Sequence, residues 1–165
     1  MIVELGELSD AQWDELRAGE ERPWGSDGLE WQKKERLLLL RVDGRLVAMA
    51  GWSIVAIEAG GETFDVVGLG AVVVSRPQRG KGYARRVLEP WLERAGALGP
   101  ARAALFCAPH NVGLYARFGF AELNGPVTAD QPNGPVTMPG AFMWRPLQPD
   151  ATWPDGPVRV LGLPF

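Results

Sequence analysis

Between residues 36 and 74 the sequence is predominantly apolar, punctuated by Asp43-Gly44 and again by Gly60-Gly61. An Asp-Gly pair between two apolar runs is a strong hairpin signal, because the two-residue turn needs positive φ. The runs 36–42 and 45–57 are therefore predicted as strands joined by that turn. A third strand is predicted from about Thr63 to Val74. The result is an antiparallel meander, around which the remaining elements must pack.

Those elements are legible in outline. Residues 2–5 read as a first strand. Ser9 with Gln12 three positions on is a helix-capping pattern, Trp13 and Leu16 give that helix an apolar side, and Gly19 ends it. Residues 20–30, with Pro23, Gly25, Ser26 and Gly28, read as a loop. Residues 82–97 are the clearest helix, with Tyr83, Val87, Leu88, Trp91, Leu92 and Ala95 on one stripe and Pro90 as a candidate kink. A short strand is predicted at 102–107, a helix from Pro109 to Arg117, and extended chain from Phe118. Another strand follows at 141–145. Gly-Pro-Val recurs at 125–127, 134–136 and 156–158 with unequal spacing, and is predicted as three similar turns rather than a structural repeat.

A chain of 165 residues and 18.0 kDa fits one domain, 1–165, with residues 147–165 as a C-terminal tail. Apolar residues at 46% and charged residues at 22% argue against long disorder. The longest aliphatic run, Leu37 to Leu40, is too short to span a bilayer, and the first residues lack a signal-peptide pattern. No membrane partner is expected. A single cysteine, Cys107, and a single histidine, His110, exclude an internal disulfide and a cysteine or multi-histidine metal site, so no metal is expected. The chain reads as intracellular, and a cytoplasmic location is expected.

Charge is unevenly spread. Residues 1–35 hold ten acids and four bases, whereas residues 76–102 hold seven bases and two acids. A basic segment in a chain of net charge −3 points to one local anion site rather than a nucleic-acid face. That segment begins where the third strand ends. Val72-Val73-Val74 is followed by Ser75-Arg76-Pro77-Gln78-Arg79-Gly80-Lys81-Gly82-Tyr83-Ala84 and then the long helix. The first N–H groups of a helix lack intrahelical partners and lie at the positive end of its dipole. Gly80 and Gly82 allow close approach of backbone to ligand, and Arg79, Lys81, Arg85 and Arg86 add charge. Together they describe a pyrophosphate cradle. It is neither a P-loop, since no Ser or Thr follows Gly80-Lys81, nor the dinucleotide fingerprint, since the third glycine is missing.

Arg79-x-x-Gly82-x-Ala84, set between an apolar strand and an amphipathic helix, resembles the acyl-CoA signature of the GNAT N-acetyltransferase superfamily. Leu114-Tyr115-x-x-Phe118-Gly119-Phe120 resembles that family's second signature. The likeness spans roughly residues 1–147. It implies an α/β (α+β) fold with a mixed, mostly antiparallel central sheet flanked by helices, and acetyl-CoA as acyl donor. It also implies that the strand Val72, Val73 and Val74 pairs with pantetheine. The loop Arg79, Gly80, Lys81, Gly82, Tyr83 and Ala84 would hold the pyrophosphate, with Asn111 nearby, and Tyr115 would protonate the leaving thiolate. The family is often dimeric, so a homodimer is among the arrangements it implies. Within the superfamily the chain is most similar to the aminoglycoside 2′-N-acetyltransferase branch, on the Gly-Pro turns after the second signature. It departs from that branch at Gly70, where a strand Glu is expected, and at Met138-Pro139-Gly140. Many family members place an Asn at the position of Ala108.

The implied reaction is acetyl transfer to a primary amine of a small molecule by direct attack. An alkyl ammonium of pKa about 10.4 is neutral in only roughly one part in a thousand near pH 7.4, an offset of about 4 kcal/mol. A base is therefore wanted, and with Gly70 in place of the carboxylate the candidates are Asp65, Glu62 and Glu58 through water. Trp24, Asp27, Glu30 and Trp31, acidic and aromatic together, are the candidate wall for a cationic amine. Trp52 is expected to pack in the core. A Cys107–His110 nucleophile lacks an orienting third group. The alternatives are a protein or peptide amine as acceptor, a catalytically inactive acyl-CoA-binding module, and a phosphate- or RNA-binding protein using residues 76–86.

Overall fold

The computed structural model describes residues 1–21 and 28–165. Ten strands and three α-helices follow in the order β1 (Ile2–Leu5), α1 (Asp10–Arg17), β2 (Arg36–Val42), β3 (Arg45–Ala59), β4 (Glu62–Val74), α2 (Tyr83–Gly96), β5 (Arg102–Cys107), α3 (Val112–Ala116), β6 (Ala121–Leu123), β7 (Val127–Ala129), β8 (Val136–Thr137), β9 (Ala141–Pro146) and β10 (Val158–Val160). The expected meander is present: β2–β3 and β3–β4 are antiparallel. Asp43 and Gly44 both have positive φ, 49° and 76°, as a two-residue hairpin turn requires. The α1 cap is also as expected, with Ser9 and Gln12 bonding reciprocally to each other's backbone N–H.

All strands join one mixed sheet. Its main path runs β6-β9-β5-β4-β3-β10-β7-β8, and β1 reaches it through β2. Strand alternation sends side chains to two faces. Leu38, Leu40, Ala50, Val67, Leu69 and Leu105 meet Val87, Leu88, Trp91 and Ala95 of α2. Burying each large apolar side chain contributes about 1.5–3 kcal/mol, which is why this stripe was visible in the sequence. On the opposite face Leu37, Leu39, Met49 and Val73 meet Leu16 of α1. Further along that same face Ile57, Val66, Ala104 and Phe142 meet Val127, Val158, Val160 and Phe165.

Two expectations need correction. The segment Pro109–Arg117 is not one helix: a 3-10 turn over Pro109–Asn111 leads into the short α3. The extended chain begins at Ala121 rather than Phe118, because Gly119 at φ 83° first closes the helix end. The three Gly-Pro-Val segments are turns, with Gly125, Gly134 and Gly156 at φ 114°, 113° and 122°. Each also launches a strand, and these strands are neighbours: β7 pairs with β8 antiparallel and with β10 in parallel. The tail thus belongs to the sheet, since β10 pairs with β3 through Val158↔Ala59 and Val160↔Ile57.

Candidate active site

β4 and β5 run parallel but pair only over Val67↔Ala103, Gly68↔Ala104 and Leu69↔Leu105. Beyond Leu69, β4 continues to Val74 while paired only with β3, and β5 continues to Cys107 while paired only with β9. The two strands therefore part, leaving backbone on facing edges. A bulge marks the divergence: three steps on β4, Gly70 to Val73, oppose two on β3, Met49 to Gly51. Ala71 takes the extra position at φ 52°, unusual for a residue with a Cβ. Trp91 Nε1 donates to the Gly51 carbonyl at 3.0 Å, satisfying an acceptor at the irregularity from the α2 side.

At the end of β4 a 3-10 turn, Arg76–Gln78, leads into Gly80 and Gly82, at φ 79° and 78°. Among the described residues, none beyond the chain neighbours approaches within 4 Å of where a Cβ would stand on either glycine, so backbone rather than crowding dictates both. Gly82 caps α2 without a side-chain bond, and the first backbone bond back to the cap comes from Arg86 N at 3.3 Å. Among the described residues, the amides from Gly80 to Arg85 donate to nothing. Free N–H groups at a helix N-terminus are the arrangement that an anion cradle would need. The basic side chains brace the loop. Arg79 donates to the Val74 carbonyl at 3.1 Å and pairs with Glu20 at 2.6 Å, so its guanidinium ties loop to strand. Lys81 bonds Gln78 at 2.9 Å, Arg85 pairs with Glu89, and Arg86 lies over the Tyr83 ring.

The opening between β4 and β5 has two unlike sides. On the α2 side, Val72, Val74, Cys107, Leu114 and Tyr115 share one apolar cluster. Tyr115 is 8% exposed and sits edge-on to Phe120. Burial, with the nearby Cys107, pushes its phenol far above the ordinary tyrosine range, so it stays protonated. Its hydroxyl has no hydrogen-bond partner among the described residues. Asn111 is half-buried at the α3 N-cap and makes no capping bond. Cys107 donates to Met143 Sδ at 3.9 Å, and burial followed by Glu122 pushes its thiol up to about 11. With His110 exposed, the pair does not make a nucleophile.

The other side is aromatic. Phe106 meets Trp31, Phe142 and Phe165 at centroid distances of 5.9, 4.9 and 5.1 Å. Beside it a cavity of about 210 Å³ is lined by Phe106, Glu122, Thr137, Met138 and Phe142. Of the sequence-predicted wall, Trp31 reaches this region. Glu30 is exposed, its backbone held by Gln131 at 2.8 and 2.9 Å. Trp24 and Asp27 lie outside the described residues. Trp52 packs in the core at 3% exposure. Asp65 precedes Gly70 by five residues, about 17 Å along an extended strand, and Glu58 and Glu62 lie farther out; all three are exposed.

Sequence reasoning missed the side chain that lies over Gly70. Lys34 lies over the paired glycines Gly51 and Gly70. Its Cγ is 2.9 Å from where a Gly51 Cβ would stand, and its Nζ is 2.6 Å from the corresponding point on Gly70. Burial lowers its pKa from 10.5 to about 8. Phe165, 2% exposed, fills the space over Gly68. The signal was the glycines themselves: Gly inside a strand marks close approach by another group.

No cluster of His, Cys, Asp and Glu suited to a metal ion occurs among the described residues. Nor is any helix among them long and apolar enough to cross a membrane. A search of curated protein sequences returned no match. Solved structures do resemble the chain. A GNAT family N-acetyltransferase (YhbS) of Escherichia coli, in complex with CoA, is similar at 21% identity and TM-score 0.62, covering 99% of this chain and 94% of that one. A GNAT family acetyltransferase of Brucella melitensis, in complex with acetyl-CoA, is similar at 19% identity and TM-score 0.57, covering 94% of each chain. N-acetylglutamate synthase of Neisseria gonorrhoeae, complexed with coenzyme A and N-acetyl-glutamate, is similar at 17% identity and TM-score 0.57, covering 90% of this chain and 35% of that one. These likenesses show the fold. Residues 5–120 match the Acetyltransferase (GNAT) family, and the chain belongs to that family.

Proposed function

We propose that the protein is an acetyl-CoA-dependent N-acetyltransferase acting on a primary amine of a small molecule. The observation that carries this reading is the row of unsatisfied amides from Gly80 to Arg85 at the end of a strand that has parted from its neighbour. The amides suit the pyrophosphate, and the exposed edge of β4 at Val72–Val74 suits the amide groups of pantetheine. The thioester would then lie in the opening, with Tyr115 on one side and the aromatic face on the other. The acceptor nitrogen attacks the carbonyl and gives up a proton to a base or to water, the C–S bond breaks, the Tyr115 hydroxyl gives its proton to the thiolate, and the phenolate regains one from solvent. The two structurally similar GNAT proteins crystallised with CoA and acetyl-CoA support the choice of donor.

The aromatic wall and the Lys34 ammonium favour an acceptor with an apolar body and one amine over a polycation such as an aminoglycoside. The decisive experiment is thermal unfolding with acetyl-CoA, against phosphate and ATP as controls. At a hundredfold excess over Kd, binding adds about 2.7 kcal/mol, roughly a 5–10 °C rise for a chain of this size. A rise specific to acetyl-CoA is expected, followed by thiol release with an amine panel that includes aminoglycosides and peptide N-termini. No rise refutes the reading, and steeply salt-dependent RNA binding without it would favour a nucleic-acid role.

A further inference from the structure

On β4 the residue at the parting of the strands is Gly70, which offers no side chain to the reaction. Lys34 supplies one from outside the sheet. Residues 32–35 cross the face here, anchored by Gln32 N to the Pro164 carbonyl at 2.6 Å and by Glu35 N to the Trp52 carbonyl at 2.8 Å. Ser53 Oγ holds the Lys33 carbonyl at 3.0 Å. The Lys34 stem then has a groove to lie in only because both Gly51 and its partner Gly70 lack a Cβ. A methyl group on either would meet it at contact distances far below van der Waals.

Resting on the acetyltransferase reading, we infer that Lys34 is the catalytic base, taking the proton from the acceptor nitrogen as its bond to the acetyl carbon forms. The neutral Nζ receives that proton, the C–S bond breaks, Tyr115 protonates the thiolate, and Lys34 and Tyr115 return to their starting states by exchange with solvent. Base and acid thus stand on opposite sides of the opening. The surroundings suit a base that must be neutral part of the time. β3 and β4 present Gly51 and Gly70 to it, with no charge. On its own segment Lys33 pairs with Glu7 at 3.1 Å, and Glu35 accepts from Ile54 N at 2.7 Å. On β2 Arg36 pairs with Glu4. The C-terminal segment contributes Phe165, the last residue of the sequence, whose backbone carboxyl carbon is 3.3 Å from the Gly70 Cβ point and is the acidic group that faces Lys34 here. Among the described residues the Nζ hydrogen-bonds only the Gln32 carbonyl, at 3.3 Å, and no carboxylate lies within ion-pair distance of it. With a pKa near 8, about a fifth of the amine is neutral at pH 7.4, against roughly a thousandth for an ordinary lysine.

The test compares wild type, Lys34→Met and Lys34→Arg, using acetyl-CoA alone and acetyl-CoA with benzylamine. Thermal shift with acetyl-CoA comes first; its persistence in the variants keeps the donor reading intact whatever follows. Thiol release, to benzylamine or to water, should rise in the wild type with an inflection near pH 8. In both variants it should fall at least tenfold and lose that inflection. An aminoethylated Lys34→Cys, made in a Cys107→Ala background, should recover rate with its inflection at lower pH, because the thioether withdraws electrons. Independently, wild-type stability should rise relative to Lys34→Met between pH 8 and 10.5, since the unfolded lysine binds the proton that the buried one has lost. Unchanged rate and inflection in Lys34→Met overturn the proposal. So does an absence of thiol release from wild type that binds acetyl-CoA, and so does stoichiometric acetylation of Lys34 by mass spectrometry, which would make it a nucleophile.

Discussion

Gly68→Ala tests whether the aromatic plug is held by the absence of one methyl group. Gly68 is buried in β4 with no φ that forbids alanine, so backbone strain plays no part. The new Cβ would stand 2.8 Å from Phe165 Cγ, against a rigid ring that cannot yield as a flexible chain end would. The ring must leave, and Phe165 is 2% exposed in the native state. Re-exposing a buried phenylalanine costs about 2–3 kcal/mol, or roughly 5–10 °C for a chain of this size. The assay is a double-mutant cycle by urea denaturation. Phe165→Ala alone should cost about 3 kcal/mol or more. In that background Gly68→Ala should cost nothing and could gain several tenths of a kcal/mol, because alanine restricts the unfolded chain. A coupling energy near zero, or a Gly68→Ala protein as stable as wild type, would refute the reasoning.

Gly82→Ala puts a Cβ at φ 78° with open space around it, so it should cost about 1–2 kcal/mol from backbone strain alone and shrink the acetyl-CoA-induced thermal shift. Tyr115→Phe removes a hydroxyl without a partner among the described residues, so stability should hold within about 1 kcal/mol. Turnover should fall on the order of a hundredfold with acetyl-CoA binding retained, and wild-type activity should not decline as pH passes the ordinary tyrosine range, because the phenol is held protonated. Steady-state kinetics beside equilibrium titration check both.

The meander, α1, α2 and the glycine loop were legible because each rests on local rules: a turn that needs positive φ, a cap three residues from its partner, a stripe at helical spacing. The donor side of the site was legible for the same reason, since strand, loop and helix are contiguous in sequence. The proposed acceptor side was not. Lys34, Gly51, Gly70 and Phe165 are drawn from four separate stretches, and only the fold brings them together. Gly70 had been read for the carboxylate it lacks, whereas its physical meaning is the room it leaves. The tail had no periodicity to announce a strand, because β10 is three residues long and finds its partners on β3 and β7.

The bulge at Ala71 sets a rule of parity along β4. Leu69 points toward α2, Gly70 and Ala71 both face the other way, and Val72 returns to the α2 side, with Val73 opposite and Val74 again toward it. One strand thereby carries two frames of alternation, one before the bulge and one after it. Deleting a single residue between Leu69 and Val72 would leave composition and hydrophobicity almost untouched. It would restore simple alternation, leaving Val72 and Val74 toward α2, and would remove the bulge at which β4 parts from β5. Length at this one point therefore governs the bend of β4 rather than which side chains face α2.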